Sequence, residues 1–311
     1  MDSPILLAVP NVSEGRDAST IAEIGRAFAG GDARTPSAVR LLDVHSDPDH
    51  HRSVYTLAGG VLELADAVIT GGRAAAERLD VVARARAGGE QQGQHPHVGA
   101  LDVVPIVYLE QAARGAALSA ALLVADRIGE ELAVPVFLYG EITASNGGAS
   151  RSRAELRRGG VARLAERIAA GASEPIRPDF GPARLHPSAG ATLVAARPPL
   201  VAFNLVLSPP ASLDDAGRIA SLIREGGPEG LPGLRAIPIT LDGRLAQVSM
   251  NVEQPLELPL AAVVDAVLRH ADIESAELVG LAPRAALEGF PREIPMPGFD
   301  AARHVIENAI G

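Results

Sequence analysis

From Val201 onward the apolar residues switch between a period of two and one of three to four. The order of those periods restricts the fold more than any other feature of the chain. Val201, Phe203, Leu205 and Leu207 alternate along a strand. Ser212, with Asp215 three residues on, forms a capping box for a helix whose Leu213, Ala216, Ile219 and Ile223 fall on one side. Asp242-Gly243 is expected to join two strands as a two-residue hairpin turn. Pro238 assigns the first of them to an edge, because proline cannot donate to a central ladder. In the second, Ala246, Val248 and Met250 alternate with Gln247, Ser249 and Asn251. Pro259 starts a helix carrying Leu260, Val263, Val264, Val267 and Leu268, and Ala276 to Val279 supplies a last strand. The resulting order, β-α-β-β-α-β, is the ferredoxin-like arrangement of an α+β protein.

The first half repeats that order without residue-level similarity. Ile5 to Val12 reads as a strand, and Asp17 caps a helix bearing Ile21, Ile24 and Phe28. Val39 to Val44 and Ser53 to Leu57 read as strands separated by the polar segment from His45 to Arg52. A helix with Leu64, Val68, Ala75 and Leu79 follows, then a strand from Val103 to Leu109. Beyond it come a long alanine-rich helix (Gln111 to Leu132), a strand (Val134 to Tyr139) and an arginine-rich helix interrupted at Gly159-Gly160. Pro175, Pro178, Pro182 and Pro187 then break the pattern, so subdomains are expected at 1–185 and 186–311, with a ligand cleft between them.

Composition narrows the chemistry. Of 311 residues 47% are apolar and only 3% aromatic, which suits a globular core with closely packed alanine-rich helices. There is no cysteine, excluding disulfides, thiolate catalysis and cysteine-ligated metals. All 28 basic residues are arginine; without lysine neither a Schiff base nor a P-loop lysine is available. A net charge of -10 disfavours nucleic acid and anionic membranes as partners. The start, Met1-Asp2-Ser3-Pro4, has no basic targeting region. The apolar run from Gly115 to Ala125 falls short of the roughly 20 residues of a membrane span. A cytoplasmic location is expected.

Three polar clusters are candidates for function. Gln91 to Ala100 concentrates His95 and His97 between proline and glycines; it is either a surface loop or the seat of an acid–base imidazole. His45, Asp47, Asp49, His50 and His97 offer imidazole and carboxylate groups to a divalent metal, but without the spacing of a known metal motif. Arg52 either binds a carboxylate with two parallel hydrogen bonds or pairs with Asp43 or Asp49. Asn11, Ser13 and Glu14 follow the first strand, as a helix-capping turn or as a polar rim. Six arginines between Arg151 and Arg167 form a solvated face or receive a polycarboxylate. The paired glycines match neither a dinucleotide nor a phosphate-loop fingerprint.

Taken together, the chain resembles the glutamate formiminotransferase family, which in animals forms the N-terminal part of formiminotransferase-cyclodeaminase. The segments that carry the resemblance are Val9–Gly15, His95–Asp102, Val134–Glu141, Pro178–Pro182, Gly190–Thr192, Ala202–Asn204 and Ala246–Asn251. The resemblance implies two ferredoxin-like subdomains with a substrate tunnel between them. It implies transfer of a formimino group from N-formimino-L-glutamate to N5 of tetrahydrofolate, a step of histidine breakdown, with His95 as acid–base catalyst. Glu14 and Asp43 become catalytic candidates as carboxylates that hold the amidinium. Asn11, His45, Arg52, His97, Tyr139 and Asn204 become candidates for binding the donor. Arg158, Arg163, Arg167, Asp179, Phe180, Gly181 and Pro182 become candidates for binding tetrahydrofolate, a co-substrate that can carry a polyglutamyl tail. The resemblance further implies a homodimer and no need for a tightly bound metal. The chain ends where a cyclodeaminase part would begin, so that activity is not expected. Departures fall at His97, where the family often has arginine, at His45, where animal members have aspartate, and at Ala189, where an aromatic residue is common. These leave open another formimino or formyl donor, a metal-dependent amidine hydrolase, or a folate-binding protein without turnover.

Overall fold

The computed structural model describes residues 4–30, 38–88, 96–144, 151–169, 171–241 and 243–311. They form two compact units, Met1–Pro198 and Pro199–Gly311, each of mixed α+β structure around its own sheet.

In the first unit Leu6–Ala8 (β1) and Asn11–Val12 (β2) flank Val9-Pro10, so the strand expected from Ile5 to Val12 is interrupted at the proline, which has no N–H to contribute. Asp17 accepts from the N–H of Ser19 and Thr20 and starts Ala18–Phe28 (α1), which buries Ile21, Ile24 and Phe28. Arg40–Asp47 (β3) and Arg52–Gly59 (β4) then pair antiparallel from Arg40–Ala58 to Asp47–Arg52, with a register shift between Leu41 and Asp43. His45, Ser46, Asp47 and Arg52 therefore belong to strands, not to a segment separating them. Val61–Arg78 (α2), Val81–Ala87 (α3), Leu101–Val107 (β5), Arg114–Glu131 (α4) and Val136–Leu138 (β6) follow. Glu141–Ala144 (α5), Arg153–Arg157 (α6), Gly160–Ile168 (α7) and Thr192–Arg197 (β7) complete the unit. Between α6 and α7 the chain turns at Gly159 and Gly160, with φ of 76° and 62°, where the sequence placed its interruption.

The sheet runs β1-β4-β2-β5-β7-β6, with β3 outside β4. β7 lies parallel to both β5 and β6. It thus belongs to the first sheet, and the compact unit ends at Pro198, one strand beyond the division expected at 185/186. Apolar side chains of α1, α2 and α4 cover one side of the sheet. Leu156 and Leu164 from the arginine-rich segment cover Val103, Phe137 and Leu193 on the other.

The second unit contains Val201–Leu207 (β8), Leu213–Ile223 (α8), Leu234–Leu241 (β9), Leu245–Val252 (β10), Leu260–Leu268 (α9) and Ile273–Val279 (β11), followed by the short helices Ala301–His304 (α10) and Ile306–Ile310 (α11). Its antiparallel sheet has the order β11-β8-β10-β9, and β9, with Pro238, is an edge strand. The capping box at Ser212 and Asp215 is present. Leu241 pairs with Leu245, so three residues connect β9 to β10 where two were expected; Asp242, one of them, lies outside the described residues. No helix among the described residues is long and apolar enough to cross a membrane.

Candidate active site

Directly opposed residues of antiparallel strands project to the same side of a sheet, and residues two apart on one strand do the same. Across β3 and β4, Asp43 faces Thr56, His45 faces Val54 and Asp47 faces Arg52. Across β4 and β2, Val54 faces Asn11. Asn11, Asp43, His45, Asp47 and Arg52 consequently share one side of the sheet. The intervening Tyr55 and Leu57 belong to the core with α1, where Tyr55 lies 4.9 Å from Phe28 between ring centroids. The polar row continues the side on which Val103, Leu193 and Phe137 are covered by α6 and α7. Five residues that the sequence singled out in different polar clusters are thus brought together by register.

At the start of β5 stands Asp102, fully buried. Its Oδ1 accepts from the N–H of Val98 at 2.8 Å, and its Oδ2 pairs with Nη2 of Arg157 on α6. His97 Nδ1 lies 3.8 Å from the same oxygen. Burial works to raise the Asp102 pKa, but Arg157, His97 and Arg52 outweigh it and hold the carboxyl well below the usual range. His97 donates Nε2–H to the carbonyl of His50 at 3.2 Å, and burial pushes its pKa below the ordinary value against the pull of Asp102. Arg52 is pushed down to about 9, first by burial and then by Arg157, with Asp102 opposing. Its Nε and Nη2 are buried and make no hydrogen bond among the described residues.

A second network fixes the turn after β2. Glu14, buried, accepts from the N–H of Arg16 (2.9 Å) and Asp17 (3.1 Å) and from Arg84 Nη2 (2.8 Å). Burial works to raise its pKa, and these donors together with His51 bring it below the usual carboxylate range. Arg84 also donates to the carbonyl of Ser13 at 2.7 Å, and Ser53 Oγ donates to that of Glu14 at 2.5 Å. His51 sits at φ 50° and accepts the Gly15 N–H on Nδ1 at 3.1 Å, and its Nε2 lies 3.4 Å from Arg84 Nη1. Burial pushes its pKa down to about 4, with Glu14 opposing and Arg84 assisting. A Cβ on Gly15 would lie 2.1 Å from the carbonyl oxygen of Asp47, so the turn and the β3–β4 hairpin approach more closely than any other residue allows.

The remaining candidates are dispersed. His95 lies outside the described residues, which resume at Pro96. Tyr139, just after β6, is buried, and its hydroxyl makes no hydrogen bond among the described residues. Arg158 is exposed at the bend between α6 and α7; Arg163 pairs with Glu166 and Glu174, and Arg167 Nη1 donates to the carbonyl of Glu155 at 3.3 Å. Asp179 pairs with Arg151 and accepts from the N–H of Leu138 at 2.7 Å, so it fastens the segment holding Phe180, Gly181 and Pro182 beside β6. Asn204 belongs to the second unit, where it donates to Glu277 at 2.7 Å. Asp47 accepts from the N–H of Asp49 and of His50 and pairs with the His50 ring. Among the described residues no group of three histidine or acidic side chains is arranged to hold a metal ion.

Sequence reasoning missed Arg84 and the Asp102–Arg157 pair, and it placed His51 in a polar cluster without the contact to Gly15. Asp102 had a signal: it stands inside the apolar run from Val98 to Val107, and a buried carboxylate requires a cationic partner. The partner on α6 was hidden among six arginines.

An α+β protein with a half-buried polar row that includes Arg52 on one side of the sheet in its first unit is the class defined by these features. The chain belongs to the formiminotransferase family: residues 5–197 match the formiminotransferase domain, N-terminal subdomain. It is 31% identical over 311 residues to a glutamate formimidoyltransferase of Streptococcus pyogenes serotype M1, covering 98% of each chain. It is 33% identical over 300 residues to the glutamate formimidoyltransferase of Thermoplasma acidophilum, covering 94% of this chain and 93% of that one. To the formimidoyltransferase-cyclodeaminase of Sus scrofa it is 36% identical over 296 residues, 92% of this chain and 51% of the other.

Proposed function

We propose that this protein transfers the formimino group of N-formimino-L-glutamate to N5 of tetrahydrofolate, giving 5-formimino-tetrahydrofolate and L-glutamate. The observation that carries the reading is the polar row of Asn11, Asp43, His45 and Arg52 on one side of the first sheet, in a chain that matches named formimidoyltransferases over nearly its whole length. Both units support ferredoxin-like subdomains. The second has the order β-α-β-β-α-β, and the first has the same order extended by β7 and β6.

The reaction needs proton management and positioning. N5 attacks the amidine carbon and forms a tetrahedral intermediate; the C–N bond to glutamate then breaks. His95 takes the proton from N5 and returns one to the departing glutamate nitrogen. Asp43, on the polar row, faces the amidinium as its counter-charge. Glu14, whose oxygens already accept from Arg16, Asp17 and Arg84, acts by fixing the turn and its charge. Arg158, Arg163 and Arg167, with the Asp179–Pro182 segment, serve the folate, and their partial exposure suits a tail that continues into solvent. The resemblance supports a homodimer in the cytoplasm.

The test is direct. Purified protein, tetrahydrofolate and N-formimino-L-glutamate are mixed and 5-formimino-tetrahydrofolate is followed; His95→Ala is expected to lower turnover at least roughly 100-fold with thermal unfolding unchanged. Absence of product with the parent protein, or near-normal turnover in the variant, overturns the reading or the role of His95 respectively.

A further inference from the structure

His97 is held so that neither ring nitrogen is open to a ligand. Its Nε2–H is committed to the His50 carbonyl at 3.2 Å. Its Nδ1 is buried, makes no hydrogen bond among the described residues and lies 3.8 Å from the Asp102 carboxylate, which repels an anionic ligand. The turn that supplies the His50 carbonyl is itself braced. Asp47 accepts from the N–H of Asp49 and of His50, and His51 accepts the Gly15 N–H. Beyond His97 the backbone is fixed as well. The Val98 N–H donates to Asp102 at 2.8 Å, the Val98 carbonyl accepts from the Ala191 N–H at 2.8 Å, and the Gly99 carbonyl accepts from Ser13 Oγ at 2.6 Å. The start of α7 lies close behind, for a Cβ on Gly160 would be 3.4 Å from the His97 carbonyl oxygen. Going backward along the chain, His97 is the last of these anchors before Pro96 and His95.

We propose that His97 is a positioning residue, whose bond to the His50 carbonyl sets where His95 stands relative to the polar row of β3 and β4. The inference rests on the reading of His95 as the acid–base group of a formimino transfer. Two residues of chain reach at most about 7 Å, so an anchor at His97 leaves His95 a short radius. Pro96 narrows the choice within it, because proline fixes its own φ and confines the residue before it to extended backbone. The other end of the bond is the turn that closes β3 on β4, between Asp47 and Arg52. Those strands carry Asp43, His45 and Arg52 on their polar side. One N–H···O bond therefore couples the segment of the catalyst to the row that faces the substrate. Burial favours the neutral ring, and the carbonyl fixes its proton on Nε2. Proton transfer demands close placement, and an error of about 1 Å can lower a rate about 100-fold.

The experiment uses the full chain with His97→Ala, His97→Asn and His97→Gln beside the parent protein. A glutamine amide nitrogen stands as many bonds from Cα as histidine Nε2 and can donate to the same carbonyl; an asparagine amide is one bond short. In the transfer assay kcat is expected to fall about 10- to 100-fold in His97→Ala and His97→Asn, with KM for both substrates within about twofold. His97→Gln is expected to return kcat to within about threefold of the parent. Adding His97→Ala to His95→Ala is expected to lower the residual rate no further, because the effect runs through His95. Far-UV circular dichroism and thermal unfolding establish that each variant is folded, and His97→Asn serves if His97→Ala is not. Nitrogen-15 NMR of the histidine-labelled protein reports the tether whether or not transfer occurs. His97 is expected as the Nε2–H tautomer, and the titration midpoint of His95 is expected to move by about half a unit or more in His97→Ala and to stay in place in His97→Gln. That NMR result in a parent protein that forms no product refutes the transferase reading and leaves the tether standing. An Nδ1–H tautomer of His97, an unmoved His95 midpoint, an unchanged kcat in His97→Ala, equal losses in His97→Ala and His97→Gln, or a rise confined to the donor KM overturns the proposal.

Discussion

Asp102→Asn isolates what one buried charge does for the first unit. The amide keeps an acceptor for the Val98 N–H and nearly the same volume, so packing and the local turn are preserved. What it removes is the negative charge between Arg157, its direct partner, and Arg52 and His97, whose positive charge or ring faces it. Leaving a buried cation without its partner costs about 3–5 kcal/mol. For a unit of this size each kcal/mol corresponds to roughly 2–4 °C in Tm, which gives an expected loss of about 6–20 °C. The assay is thermal unfolding followed by far-UV circular dichroism, with urea unfolding as a second measure. Adding Arg157→Met to Asp102→Asn removes one of the stranded charges, and the double variant is expected to recover at least about 1 kcal/mol relative to Asp102→Asn. A loss below about 1 kcal/mol in the single variant, or strictly additive effects in the double, would falsify the assignment of Asp102 as the counter-charge of this cluster.

Three further substitutions have expected outcomes. Burial lowers His51 from 6.5 to about 4, so the unfolded chain takes up its proton first as pH falls; stability due to the neutral ring is complete above 6.5 and is lost toward pH 4, at up to about 1.4 kcal/mol per pH unit. Asparagine tolerates the left-handed backbone at this position, so His51→Asn is expected to flatten that part of the curve in urea unfolding between pH 4 and 7; an unchanged slope assigns the titration elsewhere. At Gly99 a Cβ would lie 1.8 Å from the carbonyl oxygen of Ala191, and Gly99→Ala is expected to destabilise by at least about 2 kcal/mol. Gly115→Ala, on the exposed side of α4 with nothing near its Cβ, is expected to gain about 0.5–1 kcal/mol in the same measurement.

Much of the fold was legible because its elements carry clean local signals. Asp17 and Ser212 cap helices where side-chain chemistry predicts, and Gly159-Gly160 divides the arginine-rich segment. The hairpin of β3 and β4 was read too short because His45, Ser46, Asp47 and Arg52 are polar, and polarity in a strand looks like a loop when the partner face is unknown. The first compact unit extends to Pro198, past the division expected at 185/186, because β7 pairs with strands some 55 and 90 residues earlier, and no local pattern encodes a parallel partner at that distance. In the site, Asn11, Asp43, His45 and Arg52 were identified by residue type, while their common side followed only from register. Arg84 and the partner of His51 were not visible, since each acts through a turn that folds back on it from elsewhere in the sequence.

The position of β7 also dictates an order of events during synthesis. β5 and β6 have no hydrogen bonds to each other; both wait for β7, which sits between them. Until residue 197 has left the ribosome, one edge of β5 and one edge of β6 lack the strand that will pair with them. Unpaired strand edges invite association with other chains. The second unit has no such debt to its predecessor: its four strands lie within 79 consecutive residues, from Val201 to Val279, and pair only with one another. The interval between the emergence of β5 and that of β7 is therefore when a nascent chain of this protein is most exposed to aggregation, and when a chaperone has most to shield.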